Sequence, residues 1–479
     1  MRMPHAIGRG MRRQSMFAKS WRSPCWPGSQ GRLPIRSLEL RSRLAVRPLQ
    51  SRSPRTEPPP TWSTTSTTAS PDQSRYQITR LTGYGLPSLG GLLILAAVLV
   101  SGCGPGTANS NSSPSPDKNF GSELVAATCP TEAHCIAVGW TRDPGNHRYT
   151  SLIEETTGDR WSIVSSPTVP DGQGSQLVDV TCADQFHCLA VGLTLDSASE
   201  PSTLIESNSG SGWAIVPSPN PTDSSVGSAA RLSGAACWKS SHCIAVGESH
   251  SGGFSHALIL ESTGGAWSIS PNPDQSAVDT SLSSVACEGA NSCVAVGRSG
   301  YQPLLEDWSD SGWSLNPYGQ QGAATTGDTP LVHVTCAGTT YCLAVGFMVV
   351  PLCCVATALI ENAGDGWEFV SGPDSGFGSS YLIGAACISP TECTVVGNEA
   401  VPVGDVQPPG TFIWQKTEDG WRNIPRLTDN GHRLGLLGVA CSGDHHCMIV
   451  GDQRESATSN MTTLIAESGP SGWGLLASP

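Results

Sequence analysis

The sequence predicts an all-β fold: a seven-bladed β-propeller of four-stranded blades, with one disulfide inside each blade. Three observations carry this. A unit of about fifty residues returns seven times from Leu124 onward, and repetition at that period is the mark of blades or solenoids. Each unit holds a C-x5-C pair whose first members are Cys129, Cys182, Cys237, Cys287, Cys336, Cys387 and Cys441. Trp161, Trp213, Trp267, Trp313, Trp367, Trp421 and Trp473 keep step with them.

The chain divides into four parts. Residues 1–80 are rich in Arg, Ser and Pro without sustained periodicity, and are expected to be disordered or a mis-assigned start. They hold 15 Lys and Arg against 3 Asp and Glu; the whole chain has 27 and 40, so the remainder has 12 and 37, a net charge of −25. Such a surface repels polyanions, which argues against nucleic acid as a partner. Residues 81–103 read as an export signal: Arg80, then the apolar run of LPSLGGLLILAAVLVSGC, too short for an ordinary membrane span. The closing VSGC, Val100–Cys103, resembles the bacterial lipoprotein signal, which implies lipidation of Cys103. Residues 104–123 have the composition of a flexible tether, and residues 124–479 form the propeller.

Each unit reads as four short strands. In the second, LVDVTC (Leu177–Cys182) and CLAVG (Cys188–Gly192) are apolar and separated by a turn; STLIE (Ser202–Glu206) and WAIVPSP (Trp213–Pro219) complete the set. Near-continuous apolar strands imply burial on both faces, as when one blade packs between two others. The order L-x-x-V-x-C-x5-C-x-A-V-G…GxxW resembles the Asp-box, or BNR-like, propeller repeat, including the form in photosystem assembly factors. The resemblance runs from Leu124 to Trp473. The Asp of the box is replaced by Thr156, Asn208, Ser262 and Asn362, while Gly158, Gly210, Gly264 and Gly364 keep the turn glycine. The phase starts with a first strand and ends with a fourth, so ring closure is expected from face packing of blades seven and one, with fraying near the ends.

With Cys25 and Cys103 set aside, sixteen Cys remain, an even number that suits an oxidised exported domain. Cys129 with Cys135, Cys182 with Cys188, Cys237 with Cys243, Cys287 with Cys293, Cys336 with Cys342, Cys387 with Cys393 and Cys441 with Cys447 flank hairpin turns, where cross-strand spacing suits a disulfide. The adjacent Cys353 and Cys354 could form a vicinal bridge. Zinc spacing is not present, and no metal or cofactor is expected. His134, His187, His242 and His446 precede the second Cys in four units, with Ser292, Tyr341 and Glu392 in the same slot elsewhere. A turn tolerates that variety; a metal site would not. Glu154, Glu206, Glu261, Glu306 and Glu361 recur at the end of the third strand and read as turn chemistry or solvation.

What recurs is architecture, so function is sought where the pattern breaks. The loops between second and third strands vary most, and with the inter-blade loops they should form one face of the ring. In blade 5 this loop is apolar, Phe347, Met348, Val349, Val350 and Leu352, a candidate partner contact. The expected function is a non-catalytic binding or assembly scaffold: an exported, lipid-anchored monomer that binds an envelope protein or a glycan. The alternative is a sialidase-like glycoside hydrolase, whose chemistry needs clustered arginines and a Tyr with a carboxylate partner. Arg142, Arg148, Arg298 and Arg454 lie in the strand two to three loops, and Arg231 and Arg433 precede first strands. The early Arg-Ile-Pro signature of sialidases is missing.

Overall fold

The computed structural model describes residues 121–479 except 146, 157–159, 170–173, 197–199, 222–228, 275–278, 291, 321–327, 339, 351–353, 377, 401–409, 428–431, 444–445, 456–459 and 470–471. Residues 1–120, and with them the export signal, Cys103 and most of the tether, lie outside the described residues. The described chain forms seven four-stranded antiparallel sheets, each of four consecutive strands. The molecule is a seven-bladed β-propeller, as the repeat predicts.

The first strands are Ser122–Thr131, Ser175–Cys182, Ala230–Lys239, Thr280–Gly289, Leu331–Ala337, Ser380–Ser389 and Arg433–Cys441. Each touches the first strands of the blades on either side, and the last touches the first, so together they form the inner wall of a closed ring. Among the described residues, apolar side chains gather in clusters, with at least one at every seam between blades. At the seam of blades 1 and 2, Ile136, Val138 and Ile153 meet Leu177, Val180 and Leu204. The opposite face of the same second strand sends Cys135 and Ala137 toward blade 7. Burial of both faces explains the unbroken apolar runs in sequence, and each fully buried Leu or Ile contributes about 1.5–3 kcal/mol.

The glycine of each AVG has a steric cause. A bulge follows the apolar residue opposite it, as between Val246 and Gly247, and brings the first-strand backbone against the glycine. A Cβ on Gly247 would lie 2.0 Å from the carbonyl oxygen of Arg231, and one on Gly192 would lie 2.0 Å from that of Gln176. Backbone cannot yield as a side-chain tip can. Gly247→Ala is therefore expected to cost about 3 kcal/mol or more; a thermal melt within a degree of the parent would contradict this.

All seven C-x5-C pairs are disulfides, with Cα atoms 4.0–4.1 Å apart. Directly opposed strand residues usually stand about 4.5–5.5 Å apart, so the strands are drawn close at these pairs, as at Cys182 opposite Cys188. Cys354 is also disulfide-bonded, while Cys353 lies outside the described residues.

Ring closure uses more than the expected face packing. Leu124, Cys135 and Trp161 of blade 1 pack on Ala440, Met448 and Ile465 of blade 7. Gly121 adds a parallel bridge to Met461, and the Ser122 amide donates to the Met461 carbonyl at 3.2 Å. Near the other terminus, the Ser478 hydroxyl donates to Glu154 at 2.9 Å. Hydrogen bonds from both ends thus cross the closing seam. The first strand starts at Ser122, two residues before the expected boundary at Leu124.

Candidate functional site

The recurring glutamates require a correction. They occupy two registers, separated by one residue, and neither serves turn chemistry. Pairing with the AVG glycines puts Glu154, Glu206 and Glu306 at one position, two residues beyond Leu152, Leu204 and Leu304. All three are fully buried. Each accepts from the stretch that follows the fourth strand of the preceding blade: Glu206 from Ser166 at 3.0 Å, Glu306 from Asn272 at 3.2 Å, and Glu154 from Ser478. Burial raises their pKa values, to about 7 for Glu154 and Glu206 and about 8 for Glu306. One oxygen of Glu154 and one of Glu306 find no hydrogen-bond partner, which suits carboxyls held neutral.

The next residue along the third strand is Glu155, Glu261 or Glu361 in blades 1, 3 and 5. Here the carboxylate accepts from the indole N–H of the following blade: Trp213 to Glu155 at 2.7 Å, Trp313 to Glu261 at 3.1 Å and Trp421 to Glu361 at 2.8 Å. Trp and Glu that stand 52, 58 or 60 residues apart in sequence are one device in space, a hydrogen bond across the seam. In blade 5 the device is extended, because Lys416 pairs with Glu361 and donates to the Tyr341 hydroxyl at 3.0 Å. Its ammonium also lies 4.5 Å from the Tyr341 ring centroid.

The histidine slot belongs to the same surroundings. His134 approaches Glu155 at 3.9 Å, and His446 contacts Glu467. His187 instead bonds Asp184 within its own turn at 2.8 Å, and His242 bonds Ser241 at 2.9 Å. Each is engaged within its own blade.

The repeat breaks at the inner end of the face carrying the strand two to three loops. The residue before the conserved first-strand Leu pairs with the residue after the AVG glycine: Glu123 with Trp140, Arg231 with Glu248, Ser281 with Arg298, Tyr381 with Asn398 and Gly435 with Asp452. Equivalent positions thus carry unlike residues. Glu123 is only 8% exposed, and its pKa is raised to about 8, first by burial and then by Asp452, with Arg454 opposing. Burial also raises Asp452, and the Arg454 guanidinium 3.5 Å away counters it. The Tyr381 phenol is pushed up by burial and by the charge of Asp452, against a hydrogen bond with Asn398. Asn398 fixes this corner, donating to the Leu436 carbonyl at 2.7 Å and accepting from its amide at 3.0 Å. Blades 6, 7 and 1 thereby present a phenol, two carboxyl groups and a guanidinium at one sector of the channel mouth.

Deeper on the inner strands the repeat breaks again. Asp179 accepts from the Ala235 amide of the next blade at 2.8 Å, and burial raises its pKa to about 7. His333, at the equivalent place in blade 5, is held down to about 4 by burial.

The arginines weighed as a substrate clamp have local partners. Arg231 pairs with Glu248 and Arg454 with Asp452. Arg142 lies 5.3 Å from the Tyr149 ring centroid, and Arg298 acts on Asp328. The blade 5 loop is also corrected. It continues the hairpin, with Phe347 opposite Thr357 and Val350 opposite Cys354. Phe347 is buried and makes an edge contact with Tyr381 at 6.4 Å between ring centroids, so it packs inward. Met348, Val349 and Val350 are half-buried, and Leu352 lies outside the described residues. Glu123, Tyr381 and Asp452 were not singled out in sequence; the available signal was unlike residues at a position next to an invariant one.

The fold and this cluster define a disulfide-clipped, seven-bladed propeller whose pattern-breaking polar residues gather at the loop-face end of the inner strands. The chain matches no protein-family model and no curated protein. Among solved structures it is similar to YCF48 bound to a D1 peptide, at 12% identity over 70% of this chain and 91% of that chain, TM-score 0.42. It is also similar to YCF48 from Cyanidioschyzon merolae, at 13% identity over 71% and 94%, TM-score 0.41. An ulvan lyase of polysaccharide lyase family PL25 matches at 8% identity over 73% and 95%, TM-score 0.48.

Proposed function

We propose that this protein is a lipid-anchored, extracytoplasmic scaffold that binds a protein or glycan partner through its loop face. The observation that carries the reading is the placement of Glu123, Tyr381, Asp452 and Arg454 from three blades at one sector of the mouth. The recurring carboxylates are used between blades, which leaves the face of unlike residues for recognition. Anchoring at Cys103 supplies the location, and the even number of paired cysteines supports export.

Two measurements test it. Cys103→Ala is expected to move the chain from membrane to soluble fraction; unchanged membrane retention sinks the anchor. Capture from cell envelopes by the full chain is expected to enrich a partner that Arg454→Ala loses at least tenfold. Equal capture by both chains places recognition elsewhere.

A glycoside hydrolase is the second reading, favoured by the grouping of the Tyr381 phenol with the Asp452 carboxyl and the Arg454 guanidinium, the last two 3.5 Å apart. Turnover of fluorogenic glycosides that is lost in Tyr381→Phe would replace the scaffold with an enzyme.

A further inference from the structure

The opposite face of the ring, which carries the turns between strands one and two and between strands three and four, holds a cleft of about 540 Å³ at the seam of blades 1 and 2. That volume is in the range of small-molecule sites. Its walls include His134, Glu155, Val164, Gln185, Phe186 and Trp213. Phe186 is 57% exposed, an unusual setting for a phenylalanine at a turn. It also breaks the repeat: Ala133, Ser241, Asn291, Thr340, Thr391 and His445 stand at the same place in the other blades.

The turn that presents this ring is pinned. The Asp184 carboxylate accepts from the amides of Phe186 at 2.8 Å and His187 at 3.0 Å, and contacts the His187 imidazole. A fixed turn means that little ordering entropy is lost when a ligand stacks on the ring. Across the cleft, one Glu155 oxygen accepts from Trp213 at 2.7 Å, while the other faces His134 at 3.9 Å and keeps acceptor capacity. The Gln185 amide is exposed beside them.

We propose that this cleft is a saccharide-binding site. A flat aromatic face next to a carboxylate, an imidazole and an amide matches a pyranose, which has an apolar C–H face and a rim of hydroxyl groups that donate and accept. The site is separate from the loop-face mouth, so it stands or falls independently of the scaffold reading. It gives the ring two binding faces.

Saturation-transfer NMR on the full chain with neutral trisaccharides, maltotriose, cellotriose and chitotriose, tests this. At least one is expected to receive saturation. Phe186→Ala should weaken that binding at least tenfold, Phe186→Trp should retain it, and Glu155→Gln should weaken it severalfold. The exposed position of Phe186 makes its variants safe for folding. Tyr301→Ala, at the exposed blade 4 turn on the other face, should leave the affinity unchanged. Absence of transfer to all three sugars overturns the proposal, as does binding that survives Phe186→Ala.

Discussion

Complete reduction of the disulfides is expected to unfold the propeller at 37 °C. Each clip closes a loop of about seven residues, for which the chain-entropy relation gives roughly 2.4 kcal/mol as a model-dependent value. Seven such contributions together reach the top of the 5–15 kcal/mol by which an ordinary domain is stable. Circular dichroism with increasing thiol should show loss of β signal, and single Cys→Ser pairs should lower the melting midpoint stepwise. The pairs sit at the hairpins of first and second strands, so each constrains the inner wall of the ring. A fully reduced protein that keeps its melting midpoint would show that seam packing alone maintains the fold.

The second large effect is loss of stability as pH rises. Glu154, Glu206 and Asp179 have folded pKa values raised to about 7, and Glu306 and Glu123 to about 8. Their unfolded values lie near 4, so between these limits the folded state binds more protons than the unfolded one. Stability then falls with pH: the contribution is complete below the unfolded value and is lost as pH climbs through the folded one. At about 1.4 kcal/mol per pKa unit, each carboxyl shifts the balance by on the order of 3 kcal/mol. His333 works the other way. Its folded pKa is depressed to about 4, so its contribution is present above about 6.5 and lost in acid. The fall therefore begins near pH 4, is steepest between about pH 4.5 and 7, where His333 offsets one of the five carboxyls below about 6.5, and ends near pH 8 once Glu306 and Glu123 have titrated. The melting midpoint should drop by at least about 10 °C from pH 5 to pH 9. Glu306→Gln should melt above the parent at pH 9 and near it at pH 5. A flat or rising midpoint across this window would exclude neutral seam carboxyls.

Much of this architecture is legible in sequence because a repeat multiplies every weak signal. One C-x5-C hairpin or one GxxW turn says little, but seven in step define blades, their order and the disulfide pairing. The glutamates show the limit of that method. Glu154 and Glu261 look equivalent by eye, yet strand register places one in a dry seam and the other under an indole, because adjacent strand residues face opposite sides. The same rule turned Phe347 inward. Extending the blade 5 hairpin to Val350 and Cys354 fixes the register of the whole apolar stretch.

By itself, the sequence determined the number of blades, the four strands of each and the partners of the C-x5-C cysteines. All of these depend on contacts within one repeat unit, where spacing along the chain is close to spacing in the fold. Only the tertiary structure decided what passes between blades: the Trp-to-Glu bonds, the neutral seam carboxyls, the closure through Ser478 and Gly121, and the meeting of Tyr381, Asp452 and Glu123. Those partners come from different blades, and the closing pair Ser478 and Glu154 stands 324 residues apart. Their proximity is set by the curvature of the closed ring, which no local spacing encodes.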